Sequence, residues 1–399
     1  MSNKKGTLRF SSSNTCGMTN ESYLPREILE DILTRLPAKM VGQCKCICKY
    51  WRALIEEPSF VELHHFHSKS RPGGWYRVIC LTTCDFKDIH FFSANYEGGL
   101  AQPLFTYLKS GSCEIEASVN GLLCWYRKVS ESILIMNPTT KELITLPPFT
   151  RPANCHVRYA GPLVSFGFDP STKQYKVLNM YHVLKERQGQ LEYSHCECEI
   201  FTLGTHSWRK IDIVPQASHL EFGSRGVCVG GVIHWRNTWY YSICSRTVDG
   251  EVVVAFDLKE ERFRVFSLPR EFPRTRCLVE LGGHLAACDK PFVELPENVP
   301  LELWILEDYD KWGWVNERIT LPRDIVRPPI YTNGAIQAGE ILLHVLLKRL
   351  PVSTNLEVYY YGRNKRSLRK IEITGLSLLN PVYMGVFNLV ENLVSLRDI

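Results

Sequence analysis

A pattern of about 50 residues repeats through the second half of the chain and restricts its fold more than any other feature. Each copy has a glycine, an apolar strand, a loop, a second apolar strand, an Asn or Asp turn and a polar strand. The glycines at Gly231, Gly283 and Gly339 are 52 and 56 residues apart. Leu268-Pro269 and Leu321-Pro322, which end two of the copies, are 53 residues apart. The repeat predicts a series of similar all-β units.

A period near 50 residues with about four strands is typical of a propeller blade of the kelch type. Residues 68–399 are 332 residues long, so a period of about 50 predicts six or seven blades. Another copy begins at Asn120-Gly121, and one near Gly167 lacks the leading glycine pair. Because no long helical pattern interrupts these strands, we expect no βαβ units.

Residues 21–67 have a helical period instead. Pro25 suits a first helical position, and an apolar stripe follows it up to Pro37, which ends the helix. A second apolar run extends from Cys48 to Ile55, and a short third one from Phe60 to Phe66. A three-helix unit of roughly 45 residues has little core of its own, so we expect it to bury an apolar face against another chain. The fold class is therefore α+β and multidomain, with a polar tail at 1–20, the helical unit at 21–67 and the propeller at 68–399.

Composition and charge exclude several classes of function. The chain has 47 Lys and Arg against 42 Asp and Glu, a net charge of +5 without a concentrated basic region. We therefore expect no nucleic-acid partner. No apolar stretch is long enough to cross a membrane, and no secretory signal is recognisable, so we expect no membrane partner and a location in the nucleus or cytoplasm. The 15 cysteines are an odd number and scattered, which favours reduced thiols packed as small apolar residues.

The sequence contains no convincing catalytic or metal-binding motif. On one helix, the thiols of Cys44, Cys46 and Cys48 would point in different directions, and a mixed site at 195–198 would need a partner from elsewhere. We find no nucleophile elbow, Walker A loop or dinucleotide fingerprint. We expect no cofactor, no metal and no enzymatic activity.

Two stretches of residues 21–67 resemble an F-box. Leu24–Pro37 is similar to its opening LPxExL…IL..LP pattern, and Lys45–Ile55 is similar to its closing helix. The rest of the chain resembles the F-box-associated interaction domain of plant F-box proteins, which is kelch-like in most members. The marks of that resemblance include Asn120–Cys124, Asn137–Thr140 and Gly167–Pro170.

This resemblance implies the substrate-recognition subunit of an SCF-type E3 ubiquitin ligase. The F-box would bind a Skp-family adaptor, and through it a cullin and a RING subunit, while the propeller would recruit a target protein. The residues it implies for the adaptor contact are Leu24, Pro25, Ile28, Leu36, Pro37, Val41, Cys46 and Trp51. For Ile28 and Val41, packing inside the helical unit is an equal alternative.

The sequence departs from the F-box pattern at Gly42-Gln43-Cys44, where the family usually has Leu-Arg-Phe or similar. A helical glycine costs about 1 kcal/mol relative to alanine, and loss of a large apolar side chain removes about 1.5–3 kcal/mol of burial. The departure predicts weaker adaptor binding unless Met40 and Val41 compensate.

The aromatic residues Trp239, Tyr240 and Trp312 are the candidate target-binding residues, because aromatic anchors are common in protein recognition. Packing between blades is the alternative for each of them. Two other functions stay open: an F-box scaffold or adaptor-binding protein that acts outside a ligase, and a propeller that binds a small ligand or is itself an enzyme.

Overall fold

The computed structural model describes residues 24–71, 73–82, 88–108, 113–128, 130–149, 163–187, 190–212, 225–237, 252–268, 276–289, 301–309, 311–319, 335–336, 340–349, 354–362, 366–376 and 382–397. The expected tail at 1–20 lies outside these residues. Within these ranges, four helices come first and only strands follow. None of the helices in the described ranges has the length and apolar character that a membrane span requires.

The four helices are α1 (Arg26–Thr34), α2 (Ala38–Cys44), α3 (Lys49–Glu56) and α4 (Pro58–Ser70). The prediction of three helices was wrong, because a separate α2 follows Pro37 and the expected short third turn is a helix of 13 residues. Pro58 explains the second difference. It is the first residue of α4, where its missing N–H costs nothing, so it both ends α3 and begins the next helix.

The strands follow in chain order. The first group is β1 (Trp75–Thr82), β2 (Asp88–Asn95), β3 (Gly99–Leu100), β4 (Gln102–Leu108), β5 (Cys113–Val119), β6 (Leu122–Arg127), β7 (Ser132–Asn137) and β8 (Glu142–Thr145). The second group is β9 (Leu163–Asp169), β10 (Gln174–Arg187), β11 (Gln190–Thr202), β12 (Arg209–Ile211), β13 (Val227–Val229), β14 (Val232–Asn237), β15 (Val252–Asp257) and β16 (Arg262–Ser267). The third group is β17 (Arg276–Leu281), β18 (His284–Asp289), β19 (Leu301–Asp308), β20 (Gly313–Ile319), β21 (Ala335–Ile336), β22 (Glu340–Arg349), β23 (Thr354–Gly362), β24 (Ser367–Leu376) and β25 (Val382–Val390).

These strands form six antiparallel sheets, each of which is one blade of a propeller. Blade 1 has the order β25-β1-β2-β4, and blades 2 to 5 each take four consecutive strands, beginning with β5, β9, β13 and β17. Blade 6 contains β21 to β24, and the short β3 adds to its outer edge in parallel with β24. The predicted propeller is therefore confirmed, with six blades. Because β25 pairs with β1 along its whole length, the C-terminal strand closes the ring.

Six apolar clusters fill the six seams between neighbouring blades. The seam between blades 1 and 2, for example, contains Phe91 stacked on Trp125, with ring centroids 4.9 Å apart. A seventh cluster is the core of the helical unit. Neighbouring blades also approach each other at β5, β9, β13, β17 and β25, so these first strands line the centre of the ring.

The turns between the first and second strands of the blades explain why glycine recurs in the repeat. Gly121, Gly231 and Gly283 have φ of +84°, +88° and +88° in the turns between the first and second strands of their blades. A Cβ on Gly231 would lie 2.7 Å from the Pro170 ring of blade 3. Glycine at position 231 therefore permits both the turn and the close approach of two blades.

Candidate protein-interaction surfaces

Helix α1 has apolar residues on two sides. Leu29 and Leu33 are 3% and 1% exposed and belong to the helical core. Leu24, which precedes the helix, and Ile28 and Ile32 follow one another at intervals of four and are 43%, 48% and 44% exposed. Residues four apart lie on one side of a helix, so these three side chains form an outward apolar row. The single stripe expected from the sequence is therefore divided between the core and the surface.

Exposed apolar residues are concentrated in the helical unit. Among the described residues, 11 large apolar side chains are exposed, and seven of them lie between Leu24 and Phe66. Soluble monomers rarely keep so much apolar surface in one small unit unless another molecule covers it. We call six of them the F-box apolar set: Leu24, Ile28, Ile32, Met40, Ile47 and Tyr50.

The structure places the expected adaptor residues in three environments. Leu24, Pro25, Ile28, Pro37 and Cys46 are exposed. Leu36 and Trp51 are half-buried against the helical core. Val41 is fully buried within that core, which favours the alternative of packing inside the helical unit. It belongs to one apolar cluster with Leu33 of α1 and Leu54 of α3.

Sequence reasoning missed Ile32, Met40, Ile47 and Tyr50 as exposed apolar residues. For Ile32 a signal existed, since it continues the interval of four from Leu24 and Ile28. The sequence around Met40 and Ile47 contains no regular period from which to assign a face. Only the turn between α2 and α3 places Ile47 outward, at 63% exposure.

Helix α4 lies on one face of the propeller, which we call the near face. Glu62 on α4 pairs with Lys173 in the β9–β10 turn of blade 3, with 2.7 Å between Oε2 and Nζ. The Nδ1–H of His65 donates to the carbonyl of Glu391 at the end of β25, at 3.0 Å. Lys69 interacts electrostatically with Glu280 at the end of β17 in blade 5. The contacts with blades 1 and 3, together with the electrostatic interaction with blade 5, place α4 on the near face of the ring.

Two histidines of α4 are held neutral at this junction. The Nε2–H of His64 donates to the carbonyl of Leu36 at 2.9 Å. Burial lowers the pKa of His64 and that of His65 to about 4 in each case. Burial also raises the pKa of the neighbouring Glu391 carboxyl above its ordinary value. The ion pair of Arg71 with Glu391 at this junction is largely withdrawn from solvent, since its side chains are 13% and 14% exposed.

The opposite face of the propeller, the far face, is where the second strand of each blade ends. Asn237 and Val252, the strand residues that flank 238–251, both lie at this face, and so do Asp289 and Leu301, which flank 290–300. The near-face turns at 120–121, 230–231 and 282–283 are only two residues long. Long connections on a rigid scaffold are the usual sites of recognition, so the far face is the candidate target surface.

Blade 3 extends beyond its neighbours at the far face. Strands β10 and β11 pair from Lys176 to Arg187, whereas β9 covers β10 only as far as Met180. In the described residues, the segments Tyr181–Arg187 and Gln190–Glu197 pair only with each other. We call this two-stranded extension the blade 3 arm, and at about 3.3 Å per residue its seven-residue strand projects about 23 Å.

The expected target-binding residues have different outcomes. Trp239 and Tyr240 lie outside the described residues. Trp312 is half-buried in the turn between β19 and β20, with φ of +54°. It stacks on Phe266 and contacts Tyr309 in the apolar cluster between blades 4 and 5. Its turn follows a third strand and so belongs to the near-face side, which favours the packing alternative for Trp312.

The cysteines of the two candidate metal segments lie in different environments. Cys196 and Cys198 are buried in the seam between blades 3 and 4. Between them, Glu197 accepts a hydrogen bond from the Tyr181 hydroxyl at 3.0 Å and pairs with Lys210. Cys48 is the N-cap of α3, and its sulfur accepts from the Trp51 backbone N–H at 3.5 Å. Within the described ranges, no three His, Cys, Asp or Glu side chains converge as metal ligands would.

Comparison with known proteins agrees with this architecture. Residues 79–387 match the model of the F-box associated beta propeller domain, and residues 22–62 match the F-box-like model. The chain is 29% identical to the Arabidopsis thaliana F-box protein At5g65850 over 374 residues, which cover 88% of this chain and 85% of that protein. It is 28% identical to the Arabidopsis thaliana F-box protein DOR over 413 residues, covering 95% of this chain and 93% of DOR.

The match to the F-box associated beta propeller domain spans more than half of the chain. The protein therefore belongs to the F-box proteins that carry an F-box-associated β-propeller. An F-box implies, in general, binding to a Skp-type adaptor, and F-box proteins are generally non-catalytic. The exposed apolar row of α1 lies within the F-box match, at Leu24, Ile28 and Ile32.

Proposed function

We propose that the protein is the target-recognition subunit of an SCF-type ubiquitin ligase and makes no covalent chemistry itself. The F-box apolar set binds the Skp-type adaptor, which connects the chain to a cullin and a RING subunit. The far face of the propeller captures a target protein. Binding both at once raises the effective concentration of the target near the ubiquitin-conjugating enzyme.

One observation supports this proposal: six apolar side chains of the F-box are exposed, and α4 lies on the near face, away from the far face. The F-box contacts the propeller through α4, and this contact leaves the F-box apolar set exposed. Because α4 occupies the near face, the target surface is assigned to the far face. We expect both surfaces to be used within the nucleus or the cytoplasm, where the adaptor and the ligase scaffold would be encountered.

Adaptor binding is tested by placing charge in the apolar row of α1. Ile28→Asp with Ile32→Asp puts two carboxylates where an apolar partner surface is expected, and burial of an unpaired charge opposes association. We expect the double variant to lose co-purification with a plant Skp-type adaptor, with unchanged circular dichroism. Val265→Asp with Val315→Asp is the matched control, because these propeller side chains are 48% and 40% exposed. Undiminished adaptor binding by the Ile28/Ile32 variant would contradict the assignment.

Reconstitution separates the ligase receptor from an F-box scaffold that acts outside a ligase. With adaptor, cullin, RING subunit and ubiquitin-conjugating enzyme present, a receptor supports ubiquitin transfer to itself or to a captured target. A scaffold binds the adaptor but supports no transfer. Assembly without any transfer, in a system that works with another F-box protein, would favour the scaffold.

A further inference from the structure

Residues 391–397, which follow the last strand, lie between the F-box and the propeller, and Asn392, Leu393 and Leu396 are buried there. Leu393 is 8% exposed and is part of the helical core with Leu29 and Phe60. Leu396 is 1% exposed and packs in the seam between blades 2 and 3. A segment of seven residues therefore contributes to the cores of both domains.

Glu391 contacts the F-box through both its side chain and its backbone. Its carboxylate accepts from the backbone N–H of Ala38, the first residue of α2, at 3.0 Å, and forms an ion pair with Arg71. Both side chains of this pair are largely buried, at 14% and 13% exposure. The Glu391 carbonyl accepts from His65 on α4. A carboxylate at a helix N-terminus also interacts favourably with the helix dipole, so Glu391 caps α2 from the propeller.

Asn392 holds the same segment to blades 2 and 3. It is 2% exposed, and its amide nitrogen donates to the carbonyl of Asn120 at 2.7 Å and to the hydroxyl of Tyr175 at 2.9 Å. Its backbone carbonyl accepts from the side chain of Asn137 at 3.0 Å. Two blades and two F-box helices are thus bonded to two adjacent residues, Glu391 and Asn392.

Neither family match includes this segment, since the two matches cover 22–62 and 79–387. We propose that residues 391–397 form a clamp that fixes the direction of the F-box apolar set relative to the far face, with Glu391 as its positioning residue. Fixed direction matters because a flexible connection would spread the captured target over many orientations and lower its effective concentration at the enzyme. That consequence rests on the proposed ligase function, whereas the fixed direction does not.

Hydrogen exchange of the full-length protein tests the clamp directly. In Glu391→Ala, α2 loses its cap and Arg71 its partner, so amides of 38–41 and 391–397 should exchange about tenfold faster or more, with the six blades unchanged. Glu391→Gln retains an acceptor for the Ala38 N–H and should give a smaller increase. Glu260→Ala is the control, because that carboxylate pairs with Arg264 of the adjoining strand β16 in blade 4, away from the F-box. Exchange unchanged in Glu391→Ala would overturn the clamp.

Small-angle scattering and mapping of self-ubiquitylated lysines test the direction itself. We expect Glu391→Ala with Leu393→Ala to increase the maximum dimension relative to the wild type and to spread ubiquitin over lysines that the wild type leaves unmodified. An unchanged scattering profile in a variant with faster exchange would overturn the positioning role. If the wild type supports no transfer, the ligase function fails, and scattering alone still decides whether the direction is fixed.

Discussion

Single residues show how the F-box tolerates its departure from the family pattern. Gly42 lies in the interior of α2, is exposed, and has open space where a Cβ would be. Cys44 packs partly against the helical core, and Val41 is buried in it. Val41 thus contributes to the folding of the F-box, whereas Met40, next to it, is 47% exposed and available to a partner.

Gly42→Ala should stabilise the protein. Alanine loses less backbone freedom on folding than glycine, and no atom obstructs the new methyl group. We expect a gain of about 0.5–1 kcal/mol in the free energy of unfolding, measured by chemical denaturation. Gly121→Ala is the matched contrast, because φ is +84° there and a Cβ would lie 2.3 Å from the Val390 carbonyl oxygen. A loss of stability in Gly42→Ala would contradict this account of α2.

His64, which is buried, and His65, which is half-buried, predict a pH dependence of stability. The pKa of His64 and that of His65 are about 4 in the folded protein, against 6.5 for an ordinary histidine. The unfolded chain therefore binds more protons between these values, and stability falls as pH is lowered through this window. From about pH 7 to about pH 5, each histidine should remove up to about 2 kcal/mol. The raised pKa of Glu391 acts in the opposite sense and offsets part of this loss.

Urea unfolding at the two pH values measures this effect. In His64→Gln, the glutamine amide can still donate to the Leu36 carbonyl but does not titrate. The variant should therefore lose less stability on acidification than the wild type, even if it is less stable at neutral pH. Equal losses in the two proteins would show that His64 does not contribute to the pH dependence.

At the scale of elements, the blade 3 arm differs from the rest of the propeller in the length of its strands. Strands β10 and β11 have 14 and 13 residues, whereas the strands of blade 4 have at most six. Edges of a two-stranded extension present unpaired backbone groups, which suit recognition of an extended partner segment. Under the proposed function, the arm is the described element best placed to contact a target.

Shortening the arm should separate recognition from folding. Replacing residues 184–194 by Asn-Gly joins Val183 to His195, a directly paired position, through a two-residue hairpin turn. We expect unchanged thermal stability and adaptor binding, because these residues lie beyond Met180, where the pairing of β9 with β10 ends. Proximity labelling in plant cells, with Ile28→Asp and Ile32→Asp present so that targets are not degraded, should show fewer labelled proteins. An unchanged labelling profile would exclude the arm as a target contact.

At the scale of the whole molecule, ring closure depends on the seam between blades 1 and 6. Arg77 is fully buried there, and its Nε–H donates to the hydroxyl of Tyr360 at 2.7 Å. Its guanidinium carbon lies 4.5 Å from the ring centroid of Tyr96 and 4.9 Å from that of Tyr360. It also donates to the backbone carbonyls of Asn95 and Tyr96. One side chain from β1 thus joins the first blade to the last.

Arg77→Ala should destabilise the propeller by at least about 2 kcal/mol, because it leaves buried carbonyls unsatisfied and a cavity between two tyrosines. Thermal unfolding monitored by tryptophan fluorescence measures the effect. Arg262→Ala is the control, since this side chain is exposed on the outer strand of blade 4. Equal stability of the two variants would show that the seam does not depend on Arg77.

Local sequence determined the repeat, the strands, the glycine turns and the opening helix, because each depends on residues within one turn or one blade. Strands such as Leu122–Arg127 were predictable as apolar runs, and Gly231 as a position of positive φ. The outward row of α1 was partly predictable from its spacing. The number of blades was not, since degenerate repeats leave the count at six or seven, and only closure of the ring fixes it at six.

Only the tertiary structure decided which residues far apart in the sequence meet. The pairing of β25 with β1, the burial of Val41 and the contact of Glu391 with Ala38 join segments whose own patterns carry no information about one another. Hydrophobic burial is not directional, so an apolar pattern shows that a face is covered but not by what. Whether an apolar side chain of the F-box faces its own core, the C-terminal segment or another protein is settled by how the whole chain packs.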